Sequence, residues 1–216
     1  MLPTAQWTTF DVSELLLPDW SVDVRKAAIN ADFRNFARTP VLSREAGDVQ
    51  HVHRGRVHAD QVQNGLPWLF KLYRSDFREL AERVEGASVV TARDDRYGVV
   101  LNVQQGPDMR FECHVDSNPL TGLLFCTDHG PGEGGELVFG HDSSAASMTE
   151  IDRSCSVIRP QAGHLIFFDG RHNPHYARSV RLTTQTRIVA VMNFYTASSP
   201  ESMRPTALNR HLYGDE

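Results

Sequence analysis

The sequence predicts a mainly β protein with flanking helices, and two features of the chain predict it. The second half contains short apolar segments separated by turn signals, a pattern typical of a β-sandwich or barrel. The first half contains two segments with apolar residues at three-to-four spacing, which indicates amphipathic helices. A chain of 216 residues can bury one good core. We therefore predict a single domain over residues 1–216, with a mostly helical layer at 1–90 and a β core at 97–196.

The two helical segments of the first half are predicted at residues 22–37 and 66–84. Thr39 and Pro40 close the first pattern, because proline does not continue a helix. We expect both helices to pack on the outer face of the larger sheet. The polar stretch at 41–63 between them is expected to form an exposed strand pair, a lid or a mobile loop.

The strand-like segments follow one another through the second half. A loop rich in glycine and proline at 128–134 and a turn at 160–163 separate some of them. The predicted strands are 97–103, 120–127, 135–139, 164–168 and 187–195.

Residue types that bind metal lie between these strands. His114 and Asp116 are two residues apart, so at a strand end both can turn toward one metal, and His175 follows far along the chain. Two imidazoles and one carboxylate form the facial triad that holds non-haem Fe(II) with three open positions. His172 is the alternative third ligand, but Pro174 fixes the approach of the chain to His175.

The other histidines lack such a context. The chain contains ten histidines, and a lone histidine is usually a surface or core residue. His164 begins a strand after a turn, where a structural role is expected. We expect no ligand role for His51, His53, His58, His129, His141 and His211.

Arg187 stands at the head of the last apolar strand. A buried arginine needs a partner anion, so this position predicts an anion site. The planar guanidinium can meet a carboxylate with two parallel hydrogen bonds and stays charged when buried. Arg181 is the alternative.

The order of these motifs resembles the Fe(II)/2-oxoglutarate-dependent oxygenases, and in particular their prolyl-4-hydroxylase-like branch. The resemblance runs from about residue 97 to 195 and implies a double-stranded β-helix, a jelly-roll or cupin-like core. The motifs that carry it are HVD at 114–116, GGEL at 134–137, PQAGHLIFF at 160–168, NPH at 173–175 and RIVAVMNFY at 187–195.

The resemblance also implies the residues of the site. It implies Arg187 as the partner of the distal carboxylate of 2-oxoglutarate, and it implies Fe(II) ligands at His114, Asp116 and His175.

The wall of the cosubstrate pocket is expected to include Gln104, Phe125 and Asn193. Phe125 falls where the oxygen-sensing prolyl hydroxylases place a tyrosine that bonds the cosubstrate, and Asn193 falls where they carry a tryptophan. A phenyl ring cannot form that hydrogen bond, so the resemblance does not imply an identical substrate.

The implied activity is hydroxylation of an aliphatic C–H group of a small molecule, either a free amino acid or a natural-product intermediate. The implied cofactors and cosubstrates are Fe(II), 2-oxoglutarate and O2. The released products would be succinate and CO2, and ascorbate is expected as a stimulating reductant. Asp116 favours hydroxylation or desaturation, because related halogenases carry glycine or alanine there. The alternatives are a protein or peptide prolyl hydroxylase and, less favoured, a non-catalytic β-helix protein that binds metal or ligand.

Composition is compatible with these interpretations. A net charge of −5 and an isoelectric point of about 6.0 argue against a nucleic-acid partner. We expect no membrane span and no signal segment. Cys113, Cys126 and Cys155 show no CxxC spacing, which favours free thiols in a reducing compartment, the cytoplasm. A monomer or homodimer is expected.

Overall fold

Two antiparallel sheets form the centre of the protein in the computed structural model, which describes residues 7–39 and 41–209. The larger sheet contains, in spatial order, β1 (Trp7–Asp11), β10 (His164–Phe168), β7 (Leu120–Phe125), β12 (Thr186–Thr196), β5 (Val99–Gln105), β3 (His51–Val57) and β2 (Asp32–Ala37). A short strand, β4 (Val89–Thr91), also pairs with β12. The smaller sheet contains β6 (Phe111–His114), β11 (His175–Ala177), β8 (Leu137–Gly140) and β9 (Cys155–Ile158).

Both faces of the larger sheet are covered, and strand β12 shows how the sequence achieves this. Successive side chains of a strand point to opposite faces. Ile188 and Ala190 accordingly pack in the core on one side, whereas Val189 and Val191 belong to the cluster that faces the smaller sheet. Arg187 has the same parity as Val189, so its side chain points into the space between the two sheets.

Helices cover the other face of the larger sheet. Their apolar residues, among them Val24, Leu69, Phe77 and Ala81, are buried in the same core as Ile188. This packing confirms the prediction of a mainly β protein with N-terminal helices on the larger sheet. The helices are α1 (Trp20–Ile29), α2 (Ala59–Gly65), α3 (Pro67–Arg74) and α4 (Asp76–Glu85), and α5 (Met148–Arg153) precedes β9.

The helix predicted at 22–37 is wrong in its second half. The helix ends at Ile29, and Asp32–Ala37 forms β2, which pairs with β3 along its whole length. The ring of Phe33 lies so close over Gly55 of β3 that an added Cβ there would be 2.5 Å from it. Pairing with a distant strand therefore overrides the helical spacing of this segment.

The helix predicted at 66–84 is two helices. Ser75 leaves the helical conformation with φ −117 and ψ −98. Its hydroxyl oxygen lies 3.0 Å from the carbonyl oxygen of Lys71 and 2.7 Å from the carboxylate of Asp76, and its single hydrogen can be donated to either acceptor. Serine side chains compete with the backbone ladder in this way, which explains the break between α3 and α4.

The polar stretch at 41–63 contains a buried strand. Residues 51–57 form β3 inside the larger sheet, and α2 begins at Ala59. The N-terminal layer is therefore less helical than predicted, since it also supplies β1, β2 and β3. Pro40, expected to close the first helix, and His211, for which no ligand role was expected, lie outside the described residues.

Two predictions drawn from composition can be compared with the structure. The three cysteines are free, with Cys113 and Cys126 buried and Cys155 partly exposed. None of the helices within residues 7–39 and 41–209 has the length and apolar character that a membrane span requires.

Candidate metal centre

His114, Asp116 and His175 meet in the space between the sheets. The register of β11 with β6 places His175 opposite His114, and their ring centroids are 4.4 Å apart. Asp116 Oδ1 lies 3.4 Å from His114 Nε2 and 3.7 Å from His175 Nε2. One ligand atom from each residue fits within a span of 4.8 Å, so the three residues could hold one metal ion.

Backbone carbonyl groups fix the orientation of both imidazoles. His114 Nδ1 lies 2.8 Å from the carbonyl oxygen of Glu112, and His175 Nδ1 lies 3.0 Å from that of Asn173. A carbonyl oxygen only accepts, so each Nδ1 must carry the hydrogen and donate it. In the neutral form of each ring, Nε2 is then the unprotonated nitrogen, and it faces Asp116 as a metal ligand must.

The electrostatics of the cluster favour the ligand-competent state of His175 and Asp116. Burial lowers the pKa of His175 to about 4, although Asp116 opposes this shift, so the ring is neutral at neutral pH. Burial alone would raise the pKa of Asp116, but His175, His114 and the hydroxyl of Thr121 lower it to about 2. Thr121 Oγ1 donates to Asp116 Oδ2 at 2.6 Å. A neutral imidazole and an ionised carboxylate are both competent ligands. Burial also acts to lower the pKa of His114, but Asp116 outweighs burial there, so the net shift of that pKa is upward and a metal would have to displace a proton from the ring more often.

Arg187 lies in the same cavity as these three residues. It is 1% exposed; its Nε donates to the carbonyl oxygen of Gly135 at 2.6 Å, and its Nη1 donates to Gln104 Oε1 at 2.9 Å. Its Nη2 is buried and has no hydrogen-bond partner. Burial lowers the pKa of Arg187 to about 10, so it remains charged at neutral pH. A buried cation with an open N–H group requires an anion.

The GGEL motif has a steric reason at this position. Gly135 has φ +79, and a Cβ there would lie 3.1 Å from Arg187 Cδ. Glycine adopts the left-handed conformation without strain, and its lack of a Cβ leaves room for the aliphatic part of the Arg187 side chain. His129 lies on the same side, buried, and its pKa is lowered by burial and then by the charge of Arg187.

The three other residues predicted for the wall of the cosubstrate pocket lie in three different environments. Gln104 orients Arg187 and is itself held by donating to the carbonyl oxygen of Arg178 at 3.1 Å. Phe125 is buried in the apolar cluster between the sheets. Asn193 donates to the carbonyl oxygen of Tyr97 at 2.7 Å and lines a second, outer cavity. The alternatives His172 and Arg181 are both exposed.

The outer cavity adjoins the inner one, and both are lined by Asn102, Phe111, His114, Asp116 and Val191. Sequence reasoning missed the buried Arg54 and Arg56 of β3, which also line the outer cavity. Their spacing of two residues was a signal that one face of a strand carries both. The polarity of the segment had instead suggested an exposed position.

Residues 98–195 match the model of the 2OG-Fe(II) oxygenase superfamily. These residues carry the domain of that superfamily, as the order of motifs predicted, and the protein is a 2-oxoglutarate-dependent non-haem iron enzyme. Fe(II) and 2-oxoglutarate are the cofactors of such an enzyme, and the donor set and the unpaired buried arginine fit both. A search of curated proteins found no match.

Several solved structures share the fold. AviO1 from Streptomyces viridochromogenes Tue57 is 18% identical with a TM-score of 0.62, over 91% of this chain and 92% of that one. The epimerase SnoN, in complex with Fe3+, alpha ketoglutarate and nogalamycin RO, is 14% identical with a TM-score of 0.64, over 98% and 88%. A prolyl hydroxylase from Trichoplax adhaerens, in complex with a hypoxia inducible factor peptide fragment, is 14% identical with a TM-score of 0.59, over 94% and 89%. The predicted jelly-roll core is thereby confirmed.

The first testable prediction concerns Gly170, whose carbonyl oxygen accepts the backbone N–H of Asp116 at 3.0 Å. A Cβ at this position would overlap Asp116 Oδ2 and lie 2.8 Å from His175 Cε1. Overpacking of this kind costs roughly 1–3 kcal/mol, so Gly170→Ala should weaken Mn(II) binding about tenfold or more in a calorimetric titration. Gly47→Ala is the control, because a Cβ there meets nothing within 4 Å. Equal Mn(II) affinities of the two variants would contradict the prediction.

Proposed function

We propose that this enzyme hydroxylates an aliphatic C–H group of a small molecule, with His114, Asp116 and His175 as Fe(II) ligands and Arg187 as the partner of 2-oxoglutarate. The observation that carries the proposal is the unpaired Nη2 of Arg187, fully buried in the cavity that also contains the three ligand residues. A desolvated guanidinium group in that position can pair with one carboxylate of 2-oxoglutarate while the opposite end of that molecule binds the metal.

The metal assignment rests on the chemistry of the donor set. Two neutral imidazoles and one carboxylate are typical of Fe(II) sites that leave positions open for cosubstrates. The backbone carbonyls of Glu112 and Asn173 hold both rings, and Thr121 holds the carboxylate of Asp116. When bound, the iron supplies oxygen activation and oxidation of the C–H bond.

The remaining residues of the inner cavity orient the cosubstrate and keep water out. Gly135 and Gln104 accept hydrogen bonds from Nε and Nη1 of Arg187, which fixes the orientation of the guanidinium group. The unpaired Nη2 therefore has a fixed direction before the anion binds. Leu137, Phe168 and Val189 form apolar walls of the same cavity. A dry wall strengthens the arginine–carboxylate pair and disfavours side reactions with water.

A small substrate is favoured by the outer cavity. It is lined by residues from distant parts of the chain, such as Leu42 and Leu208, together with His114 and Asp116. The structure of SnoN contains nogalamycin RO, a small molecule, whereas that of the Trichoplax adhaerens enzyme contains a peptide. Peptide hydroxylation is therefore the second candidate.

The second testable prediction concerns the third metal ligand. His175→Ala should abolish Mn(II) binding and turnover of 2-oxoglutarate, because it removes a donor that faces Asp116 at 3.7 Å. His172→Ala is the matched control, since His172 is exposed, and it should retain most of the affinity. Both are measured by titration calorimetry after circular dichroism has verified the fold. The reverse ranking of the two variants would move the ligand role to His172.

The third testable prediction concerns the cosubstrate. Arg187→Ala leaves the distal carboxylate buried without its partner, at a cost of roughly 3–5 kcal/mol. At about 1.4 kcal/mol per tenfold, the dissociation constant of 2-oxoglutarate should rise on the order of a hundredfold or more. Arg181→Ala should leave it almost unchanged, because Arg181 is exposed. A titration in which Arg181→Ala has the larger effect would exclude the assignment of Arg187.

The fourth testable prediction concerns the product and tests the proposed function as a whole. The protein is reconstituted with Fe(II), 2-oxoglutarate and O2 in excess chloride, and small acids, amino acids and proline peptides are supplied separately. Asp116 would occupy the coordination position that a halide needs, so mass spectrometry should find small molecules heavier by one oxygen or lighter by two hydrogens. The amount of succinate formed should rise together with the amount of oxidised product. A chlorinated product would refute the role of Asp116, and an oxidised peptide with every small molecule unchanged would favour the second candidate.

A further inference from the structure

We propose that Arg54 binds a carboxylate group of the substrate, so that the substrate of this enzyme is a small carboxylic acid; this inference rests on the function proposed above. The site is the outer cavity, which Arg54, His114 and Asp116 all line. It is distinct from the place of Arg187 in the inner cavity.

The side chain of Arg54 is buried without an anionic partner. The residue is 4% exposed, and its Nε has no hydrogen-bond partner. Among residues 7–39 and 41–209, no carboxylate lies within ion-pair distance of its guanidinium group. Burial, followed by the charge of Arg56, lowers the pKa of Arg54 to about 10, so it is still a cation at neutral pH. A buried cation that lacks a partner is unfavourable unless an anion binds there.

Two aromatic rings hold the guanidinium group in place. Its central carbon lies 4.6 Å from the centroid of the Phe36 ring and 4.3 Å from that of Phe111. Such contacts offset part of the cost of burying the charge. They do not satisfy its N–H groups as an oxygen acceptor would, so these groups remain available in a fixed orientation.

The acidic residue whose charge acts on Arg54 is already engaged. Glu112 is 2% exposed, and its carboxylate accepts hydrogen bonds from the backbone N–H and the hydroxyl of Thr39, both at 2.6 Å. It interacts with Arg54 only through space. Arg56 lies two positions further along β3, on the same face, and adds a second positive charge to this wall of the cavity.

The position of Arg54 relative to the metal centre sets the size of the substrate. Phe111 contacts Arg54 on one side, and its ring centroid is 5.4 Å from that of His114. One phenyl ring therefore separates the anion site from a metal ligand. A molecule whose carboxylate pairs with Arg54 would place carbon atoms a few bonds away beside the iron, whereas Arg187 remains free for 2-oxoglutarate.

The fifth testable prediction compares acids with their amides. The protein is loaded with Mn(II) and saturating 2-oxoglutarate, and both binding events are verified by calorimetry. It is then titrated with phenylacetic acid, N-acetylproline and N-acetylleucine and with the primary amide of each. A hydrogen-bonded charge pair contributes roughly 1.5–3 kcal/mol, so at about 1.4 kcal/mol per tenfold at least one acid should bind tenfold or more tightly than its amide. A short peptide with a glutamate side chain, and its glutamine counterpart, distinguish a small acid from an acidic peptide.

Variants assign the preference to Arg54. Arg54→Gln and Arg54→Met should bind acid and amide equally, and Arg54→Lys should keep part of the preference because it keeps the charge. Arg34→Gln is the matched control, because Arg34 also lies over the Phe36 ring but is exposed and paired with Asp32 at 2.8 Å. This control should behave as the wild type.

Several results would overturn the inference. In the wild type, the inference fails if acids and amides bind equally, if no acid shows saturable binding, or if only the peptide pair shows a preference. It also fails if Arg54→Gln keeps the full preference for acids. Competition between the acid and 2-oxoglutarate would likewise contradict it. If Mn(II) and 2-oxoglutarate bind while the preference is absent, only this inference fails. If Mn(II) and 2-oxoglutarate do not bind at all, the proposed function fails with it.

Discussion

The backbone pairing of β6 with β11 is the constraint on which the candidate metal centre depends. In this antiparallel register His175 stands directly opposite His114, so two imidazoles from distant parts of the chain meet on one face of the smaller sheet. Asp116 joins them because its N–H donates to the carbonyl oxygen of Gly170, shortly before β11 begins. A shift of one residue in this pairing would turn one imidazole to the opposite face. The geometry of the ligands is thus set by backbone hydrogen bonds.

The candidate site also depends on the larger sheet, because the two faces of this sheet carry different kinds of side chain. The helix-covered face carries the larger apolar core. The face toward the smaller sheet is apolar on β10 and on most of β7, where Thr121 is the polar exception. It also carries Arg187 on β12, Asn102 on β5 and Arg54 on β3. Buried guanidinium groups select anions, because a neutral molecule would leave a desolvated charge unpaired. The same physical rule thus supports both proposals, a cosubstrate site at Arg187 and a substrate site at Arg54, in the two cavities that share residues of the candidate metal centre.

Local patterns in the sequence succeeded where a structural feature depends on neighbouring residues. Alternation along 187–195 predicts β12 and the buried direction of Arg187, and Pro174 distinguishes the buried His175 from the exposed His172. Local patterns failed where a distant partner decides. The segment 32–37 has helical spacing, yet it forms β2, because β3 offers backbone groups along its whole length.

The sequence by itself determined the expected chemistry of this protein. The residue types and the two-residue spacing of His114 and Asp116 predict an iron site, and the resemblance carried by the order of the motifs implies 2-oxoglutarate as its cosubstrate. The tertiary structure alone decided what else surrounds that site. Arg54 lies in a polar stretch, and its two-residue spacing from Arg56 indicates a shared strand face but does not show that this face is buried. Arg54 reaches the cavity only because β3 pairs with β5 inside the larger sheet. Burial is a property of non-local strand pairing, so a sequence pattern can name the ligands of a metal while the anion site beside it appears only when the sheet is assembled.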